Sequence, residues 1–134
     1  MGMDRAKKIL EKLFLRPTAQ RLAIMKTLLS KSKIHVTAYS LEKMLLEKDY
    51  NISKATIYNN LNELSDKGFL KKVLVEKDKM WFDTNLSEHH HFYDEEEDSL
   101  VDIEEKDVAF SKLPNIPEGK ILKSIDIIIN IKKN

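Results

Sequence analysis

The chain has 134 residues, the length of one medium domain or of two small domains that work as a unit. Hydrophobic residues make up 42% of it, and no apolar run approaches the roughly 20 residues that cross a bilayer. Cysteine is absent from the sequence, which excludes disulfides, thiolate zinc sites and cysteine nucleophiles. No signal peptide is visible, and we expect a cytoplasmic protein without a membrane partner.

The net charge of +1 conceals a division along the chain. Residues 1–84 hold 17 Lys/Arg and 10 Asp/Glu, a balance of +7, whereas residues 85–134 hold 6 and 12, a balance of −6. A basic half can approach nucleic acid, which would repel an acidic half. Unless the surface charge is divided by chance, the two halves have different roles.

The basic half is predicted to consist of helices. Apolar residues at helical spacing predict a first helix around residues 9–14 that stops near Pro17. Three further helices are predicted to begin at the N-caps Thr18, Thr37 and Ser53, because each of these residues precedes an amphipathic stretch.

A glycine and a hairpin follow the last of these helices. Gly68 stands where a residue in the left-handed conformation commonly ends a helix. Residues 69–75 and 80–83 are short β-prone runs joined by the charged turn 76–79, a pattern typical of a hairpin. Helices followed by a hairpin make a winged helix. We therefore predict an α+β fold with a winged-helix DNA-binding domain over residues 1–84.

The acidic half is predicted to be a small α/β dimerisation and sensing domain over residues 89–134, reached through a hinge at 85–88. Its predicted elements are a strand at 89–93, an acidic turn at 94–98, a strand at 100–103, a short helix at 104–112, a loop at 113–119 and a strand at 121–131. The last strand is the clearest, because isoleucines alternate along it. A long apolar strand on a small domain needs covering, and pairing with a second copy would cover it, which predicts a homodimer.

The helix that begins at Ser53 presents a face that suits the DNA major groove. Its predicted core residues are Ile57, Leu61 and Leu64, and the opposite face then holds Ala55, Tyr58, Asn59 and Asn62. Asparagine can form paired hydrogen bonds to adenine, and tyrosine can bond a base edge or a phosphate. Asparagine is also a poor helix former, which favours DNA contact over a merely solvated face. The predicted contacts to double-stranded DNA are Lys54, Thr56, Tyr58, Asn59 and Asn62 on this helix and Lys77 and Lys79 in the wing.

Three of the four histidines are consecutive, at residues 89–91. On a strand, His89 and His91 share one face and His90 points to the other. Two imidazoles with carboxylates from Asp83 and Asp102 nearby in the predicted fold would suit iron, manganese or zinc. The alternative is a histidine run on a solvated strand edge, and the pattern alone does not choose between the two.

The sequence resembles the ferric uptake regulator family nearly from end to end. The shared marks, in the family's order and spacing, are Arg16-Pro-Thr-Ala-Gln-Arg21, His35-Val-Thr-Ala, Ile52-Ser-Lys-Ala-Thr-Ile-Tyr58, Leu61, Gly68, Trp81-Phe-Asp83, His89-His-His91 and Val101-Asp-Ile103. Such regulators are dimers in which a winged helix binds DNA, a small α/β domain dimerises, and a metal site at the hinge links the two. The resemblance implies metal ligands at His35, Asp83, His89, His91 and Asp102. It also implies base contact by Tyr58 and minor-groove contact by Arg16, since narrow A·T-rich grooves attract arginine.

Two departures from the family pattern matter. Many relatives hold a structural zinc with four cysteines, but here the first pair of positions holds Asp94 and Glu97 and the second pair is absent, so no such zinc is expected. Asn59 replaces an arginine that is usual in iron-responsive members. This asparagine, the histidine run and the segment 113–119 resemble the iron response regulator branch, which senses iron status through haem. The haem candidates are His89, His90 and His91.

These observations predict a dimeric transcriptional regulator or repressor that binds an A·T-rich palindromic operator and controls iron- or haem-related genes in response to a divalent metal (Fe, Mn or Zn) or haem. The alternatives are a metal-dependent repressor of the manganese or peroxide type, and a metal- or haem-buffering protein. A buffering protein would have no use for the basic half. A metalloenzyme would need a general acid or base beyond the ligands, and none is evident, so no enzymatic activity is expected.

Overall fold

The computed structural model describes residues 2–76 and 79–134, so the predicted DNA contact Lys77 lies outside the described residues. The chain divides into two compact units, Met1–Leu86 and Ser87–Asn134. None of the helices in the described ranges has the length and apolar character that a membrane span requires.

The described part of unit 1 contains four helices, and the sequence anticipates where three of them begin. They are α1 (Gly2–Lys12), α2 (Ala19–Leu28), α3 (Ala38–Glu47) and α4 (Lys54–Asp66). The side chains of Thr18, Thr37 and Ser53 cap α2, α3 and α4 by accepting a hydrogen bond from the backbone three residues on, which confirms the predicted N-caps. The Ser40 hydroxyl in turn accepts a hydrogen bond from the Thr37 N–H at 2.9 Å, which completes a capping box.

The four helices enclose a single apolar core. The core side of α4 is made by Ile57, Leu61 and Leu64, all of them buried as the helical periodicity predicts. The other helices contribute buried residues such as Leu10, Ile24 and Leu41, and Phe82 joins the same cluster. On the opposite face of α4, Ala55, Tyr58 and Asn59 are exposed.

The wing forms as predicted, and it recruits a third strand. The hairpin consists of β2 (Lys71–Glu76) and β3 (Lys79–Asp83), and β1 (His35–Val36) pairs with the free edge of β3 to give the order β1-β3-β2, antiparallel throughout. The sequence gives no sign of β1, because two residues are too few for any periodicity and the strand depends on a partner some 50 positions away. Gly68 has φ +83° after α4, as expected.

Unit 2 is a three-stranded sheet in the order β5-β4-β6. β4 (His89–Asp94) and β5 (Ser99–Glu104) form an antiparallel pair, and β6 (Ile128–Ile131) lies parallel to β4 on its other edge. The prediction of the first two strands is correct to within one residue. Together with the helical unit 1, this sheet confirms the predicted α+β fold class.

Two predictions in unit 2 extend too far. The short helix expected at 104–112 is only a 3₁₀ turn over Glu105–Asp107. The strand expected at 121–131 forms only at β6, and Ile121 is 92% exposed. A strand needs a neighbour for its backbone hydrogen bonds. β6 pairs with β4 only over His91–Asp94. The alternating isoleucines carry no information about how far this pairing extends.

The end of α1 holds an aromatic residue in an unfavourable backbone conformation. Phe14 has φ +60° and is 90% exposed. The Phe14 N–H donates to Glu11 O (3.0 Å) and the Leu15 N–H to Leu10 O (2.9 Å), the hydrogen bonds of a Schellman motif. The left-handed conformation brings Cβ too close to the backbone in every residue except glycine. The helix therefore ends at Lys12, earlier than expected, in a strained turn.

We predict that Phe14→Gly raises the free energy of unfolding by about 1 kcal/mol, because the strain relieved exceeds the extra entropy of an unfolded glycine. Urea unfolding followed by circular dichroism measures the change. Phe14→Ala is the matched control, since it removes the ring but keeps Cβ, and should give no gain. An equal gain in both variants would show that the ring, and not the backbone conformation, is the source.

Candidate metal ligands and DNA-reading surface

In unit 1, the strand pairing sets an imidazole against a buried carboxylate. His35 on β1 lies directly opposite Asp83 on β3, and His35 Nε2 is 3.2 Å from Asp83 Oδ2. Asp83 is 0% exposed, and its Oδ1 accepts a hydrogen bond from the Asn85 N–H at 2.8 Å. The Thr84 side chain accepts one from the Ile34 N–H at 3.0 Å, which ties the start of β1 to the end of β3. A charged carboxylate at such depth needs a compensating donor or cation.

In unit 2, two imidazoles converge on one carboxylate. His89 and His91 share a face of β4, as predicted, with their ring centroids 4.5 Å apart. Their Nε2 atoms lie 3.4 and 3.3 Å from the same Oδ1 atom of Asp102, which stands opposite His91 on β5. Both histidines are buried, and one ligand atom from each of the three residues lies within 4.8 Å of the others. These are the atoms that an N/O metal site would use.

The hydrogen bond on the far side of His89 fixes which of its nitrogens is available. His89 Nδ1 lies within hydrogen-bond distance of the Ser87 carbonyl oxygen. A carbonyl only accepts, so Nδ1 carries the proton, and in a neutral imidazole Nε2 then presents its lone pair toward Asp102. Two lone pairs that face each other repel unless a proton or a metal cation lies between them. The donor set of unit 2 therefore fits a divalent metal ion.

His90 points to the opposite face of the sheet, as predicted. Its Nδ1 accepts a hydrogen bond from the Ile127 N–H at 3.1 Å, just before β6 begins. On this side it lines an open groove of about 690 Å³ within unit 2, whose apolar residues include Val108, Phe110 and Leu122. The His90 imidazole is thus set apart from the imidazoles of His89 and His91, although His89 also lines this groove.

The five predicted metal ligands fall into these two sets. The structure brings His35 and Asp83 together in unit 1, and His89, His91 and Asp102 together in unit 2. Their joint ligation of one ion stays a prediction.

The outer face of α4 is available to a partner. Lys54 and Asn59 are exposed and Tyr58 is 43% exposed, with its ring edge against Phe82 at a centroid distance of 6.3 Å. Asn62 is half-buried, and its Oδ1 is buried without a hydrogen-bond partner among the described residues. Thr56 is half-buried too, and its Oγ1 accepts a hydrogen bond from the Ser53 hydroxyl at 2.9 Å.

The two remaining basic residues proposed to touch DNA lie elsewhere in unit 1. Arg16 is exposed in the turn before α2, and Lys79 is half-buried on β3 with its Nζ 6.0 Å from the centre of the Trp81 ring. The contacts of all these residues with DNA stay predictions.

Sequence reasoning missed a group of interactions around Arg21. Its guanidinium joins α2 to α4 through Asn60 and Glu63. Nothing in a helical pattern signals such a link, because the partners are about 40 positions apart.

The fold and its side chains define a class: a winged helix and a small sheet unit, each carrying an imidazole–carboxylate set. The sequence model of the Ferric uptake regulator family matches residues 12–129. The chain therefore belongs to the ferric uptake regulator family, as its sequence marks predicted.

Individual relatives agree with this assignment. The peroxide-responsive repressor PerR of Staphylococcus epidermidis is 41% identical over 93 residues, which are 69% of this chain and 61% of that protein. The chain thus spans about three fifths of the length of this curated relative. The crystal structure of the Vibrio cholerae ferric uptake regulator matches with a TM-score of 0.73 at 19% identity, covering 95% of this chain and 98% of that one. The structure of PerR from Streptococcus pyogenes matches with a TM-score of 0.51 at 25% identity, covering 75% of this chain and 69% of that one.

We predict that the two carboxylates differ in their importance for the metal-free fold. Asp83→Ala should lower the free energy of unfolding by about 1–3 kcal/mol, because the Asn85 N–H and His35 lose their buried acceptor. Asp102→Ala should change it by less than about 1 kcal/mol, since the Asp102 side chain is 25% exposed. Urea unfolding with metal chelated, followed by the fluorescence of Trp81, gives both values.

Asp83→Asn is the control for this comparison, because it retains an oxygen that can accept from Asn85 and should lose less stability than the alanine variant. Equal losses for Asp83→Ala and Asp102→Ala would contradict the difference in burial.

Proposed function

We propose that the chain is a metal-responsive transcriptional regulator that binds DNA as a homodimer and whose DNA affinity depends on metal occupancy. The observation that carries this proposal is the pair of imidazole–carboxylate sets, one in the winged-helix unit and one in the sheet unit. DNA binding alone does not require such ligand-type sets, and metal storage alone does not require a basic winged helix.

The proposed ligands of a single divalent ion are His35, Asp83, His89, His91 and Asp102. Such an ion, when bound, would supply positive charge close to the Asp83 and Asp102 carboxylates and to the Nε2 atoms that face them. Two ligands come from unit 1 and three from unit 2. Ligation by both units would restrict how the DNA-binding half is oriented, and a ligand shifts such an equilibrium only by its differential affinity for the two states.

The proposed DNA-binding surface is the outer face of α4 with the wing. Tyr58 and Asn59 would read base edges in the major groove, and Lys54, at the first turn of α4, would hold a phosphate. Arg16 would enter the adjacent minor groove, which favours an A·T-rich site.

A dimer would present two copies of this surface. The exposed isoleucines of β6, Ile129 and Ile131, support a contact between copies at this sheet edge. The two α4 helices would then read half-sites spaced by about one helical turn or a multiple of it, and a two-fold dimer requires a palindromic site.

Two signals compete within this proposal. The name of the curated relatives, peroxide-responsive repressor, supports a response to peroxide. The resemblance to the iron response regulator branch supports control of iron- or haem-related genes through haem.

The groove beside His90 supports the haem alternative. Its imidazole lines the groove together with apolar residues and with Lys106 and Lys123, which could pair with the carboxylates of a porphyrin. His89 and His91 are less suited to haem, because the Nε2 atoms of both face the Asp102 carboxylate.

We predict that Mn²⁺ changes the dissociation constant for DNA by at least about tenfold, in either direction. A change of this size corresponds to a typical coupling free energy between two sites. The DNA is a duplex that the protein enriches from a random pool, in selections carried out with and without Mn²⁺. The affinity for this duplex is then measured by fluorescence anisotropy. His89→Ala should abolish the metal effect, whereas Asp107→Ala, which removes an exposed charge from the same unit, should leave it intact.

The affinity should also fall steeply with salt, since lysine and arginine contacts release counterions from the phosphates. Equal DNA affinity in the presence of Mn²⁺ and in the presence of a chelator would contradict the proposed metal response. Repeating the measurement after hydrogen peroxide and with added haem chooses between the two signals. A loss of binding after peroxide in the absence of haem supports the peroxide signal, and a loss with haem that His90→Ala prevents supports the haem signal.

A further inference from the structure

Arg21 links the turn before α2 to the DNA-reading helix through its guanidinium. Nε donates to Asn60 Oδ1 at 3.0 Å, and a terminal nitrogen donates to Glu63 Oε2 at 3.1 Å, both on α4. The other terminal nitrogen donates to the backbone carbonyl of Arg16 at 3.3 Å. One side chain thus holds both the segment that carries Arg16 and two successive turns of α4.

The partners of Arg21 are themselves fixed. Asn60 Nδ2 donates to the Thr56 carbonyl at 2.9 Å, so the amide that faces Arg21 is oriented by its own helix. The Arg16 carbonyl also accepts from the Thr18 N–H at 2.9 Å, and the Thr18 hydroxyl caps α2 by accepting from the Arg21 N–H. Asn60, the second of the three asparagines of α4, therefore has a role inside the protein and differs from Asn59, whose side chain is exposed.

Only arginine can make this set of contacts. Three hydrogen bonds in one plane toward three different groups need the rigid fork of a guanidinium, and a lysine ammonium would serve as a point charge at the end of a flexible chain. The side chains of Arg21 and Glu63 are 25% and 42% exposed. A partly exposed ion pair contributes little to stability, so the contacts matter chiefly for geometry.

We propose that Arg21 is a positioning residue that sets the spacing between Arg16 and the outer face of α4, so that minor-groove and major-groove contacts are made together. The inference rests on the proposed DNA-binding function and assigns to Arg21 no contact with DNA. Without Arg21, the Arg16 segment keeps its charge but loses its fixed place relative to α4.

A double-mutant cycle on DNA affinity tests this role. The full-length protein with Mn²⁺ is measured on the duplex that the wild type enriches from a random pool. Arg21→Gln and Arg21→Lys should each weaken binding by at least about fivefold, and the cost of Arg16→Ala should be at least about threefold smaller in the Arg21→Gln background, since residues that act together are not additive. Lys26→Gln, which removes an exposed charge from the same helix, should change affinity by less than about twofold.

Hydrogen exchange of the free protein supplies a readout that does not depend on DNA. Arg21→Gln should speed exchange of the backbone amides at positions 18 and 21, while the Mn²⁺ affinity and the exchange of amides within α3 stay as in the wild type.

Additive costs of the Arg16 and Arg21 variants, or full affinity in Arg21→Lys, would overturn the inference while leaving the proposed function standing. If the wild type enriches no duplex from the pool, the proposed function is wrong and the inference falls with it.

Discussion

Antiparallel strand register sets an imidazole opposite a carboxylate in both halves of this protein. His35 lies across from Asp83 in the winged helix, and His91 lies across from Asp102 in the sheet unit. Residues that face each other across such strands have Cβ atoms about 5 Å apart, so the backbone ladder alone brings the ligand-type atoms together. The proposed metal chemistry depends on this constraint, because a slip of one residue would turn each ligand to the opposite face of its sheet.

The burial of these groups explains why a cation suits them. Asp83 is fully enclosed, and both Nε2 atoms in unit 2 face a single carboxylate oxygen. Removing charges from water is costly unless they are paired and hydrogen-bonded. The charge also divides along the chain, with a balance of +7 over residues 1–84 and −6 over residues 85–134. A basic half suits the proposed DNA contact, and an acidic half suits the proposed metal ion.

Features encoded locally could be predicted from the sequence, and features that join distant segments could not. The N-caps, the hairpin, the buried face of α4 and the alternation of His89, His90 and His91 follow from spacing within a few residues, and the structure confirms them. The strand at His35, the short extent of β6 and the contacts of Arg21 depend on partners far along the chain. The family resemblance supplied the grouping of His35 with Asp83, for which periodicity gives no signal.

The central proposal is that both imidazole–carboxylate sets serve one ion. The most direct measurement is a calorimetric titration of the metal-free full-length chain with Mn²⁺, repeated for His35→Ala and for Asp102→Ala. One ion per chain is expected, and each variant should lose at least about tenfold in affinity for it, since each removes a ligand of the same ion. Two ions per chain, one lost in each variant, or an Asp102→Ala protein that binds its single ion as tightly as the wild type, would contradict a shared site.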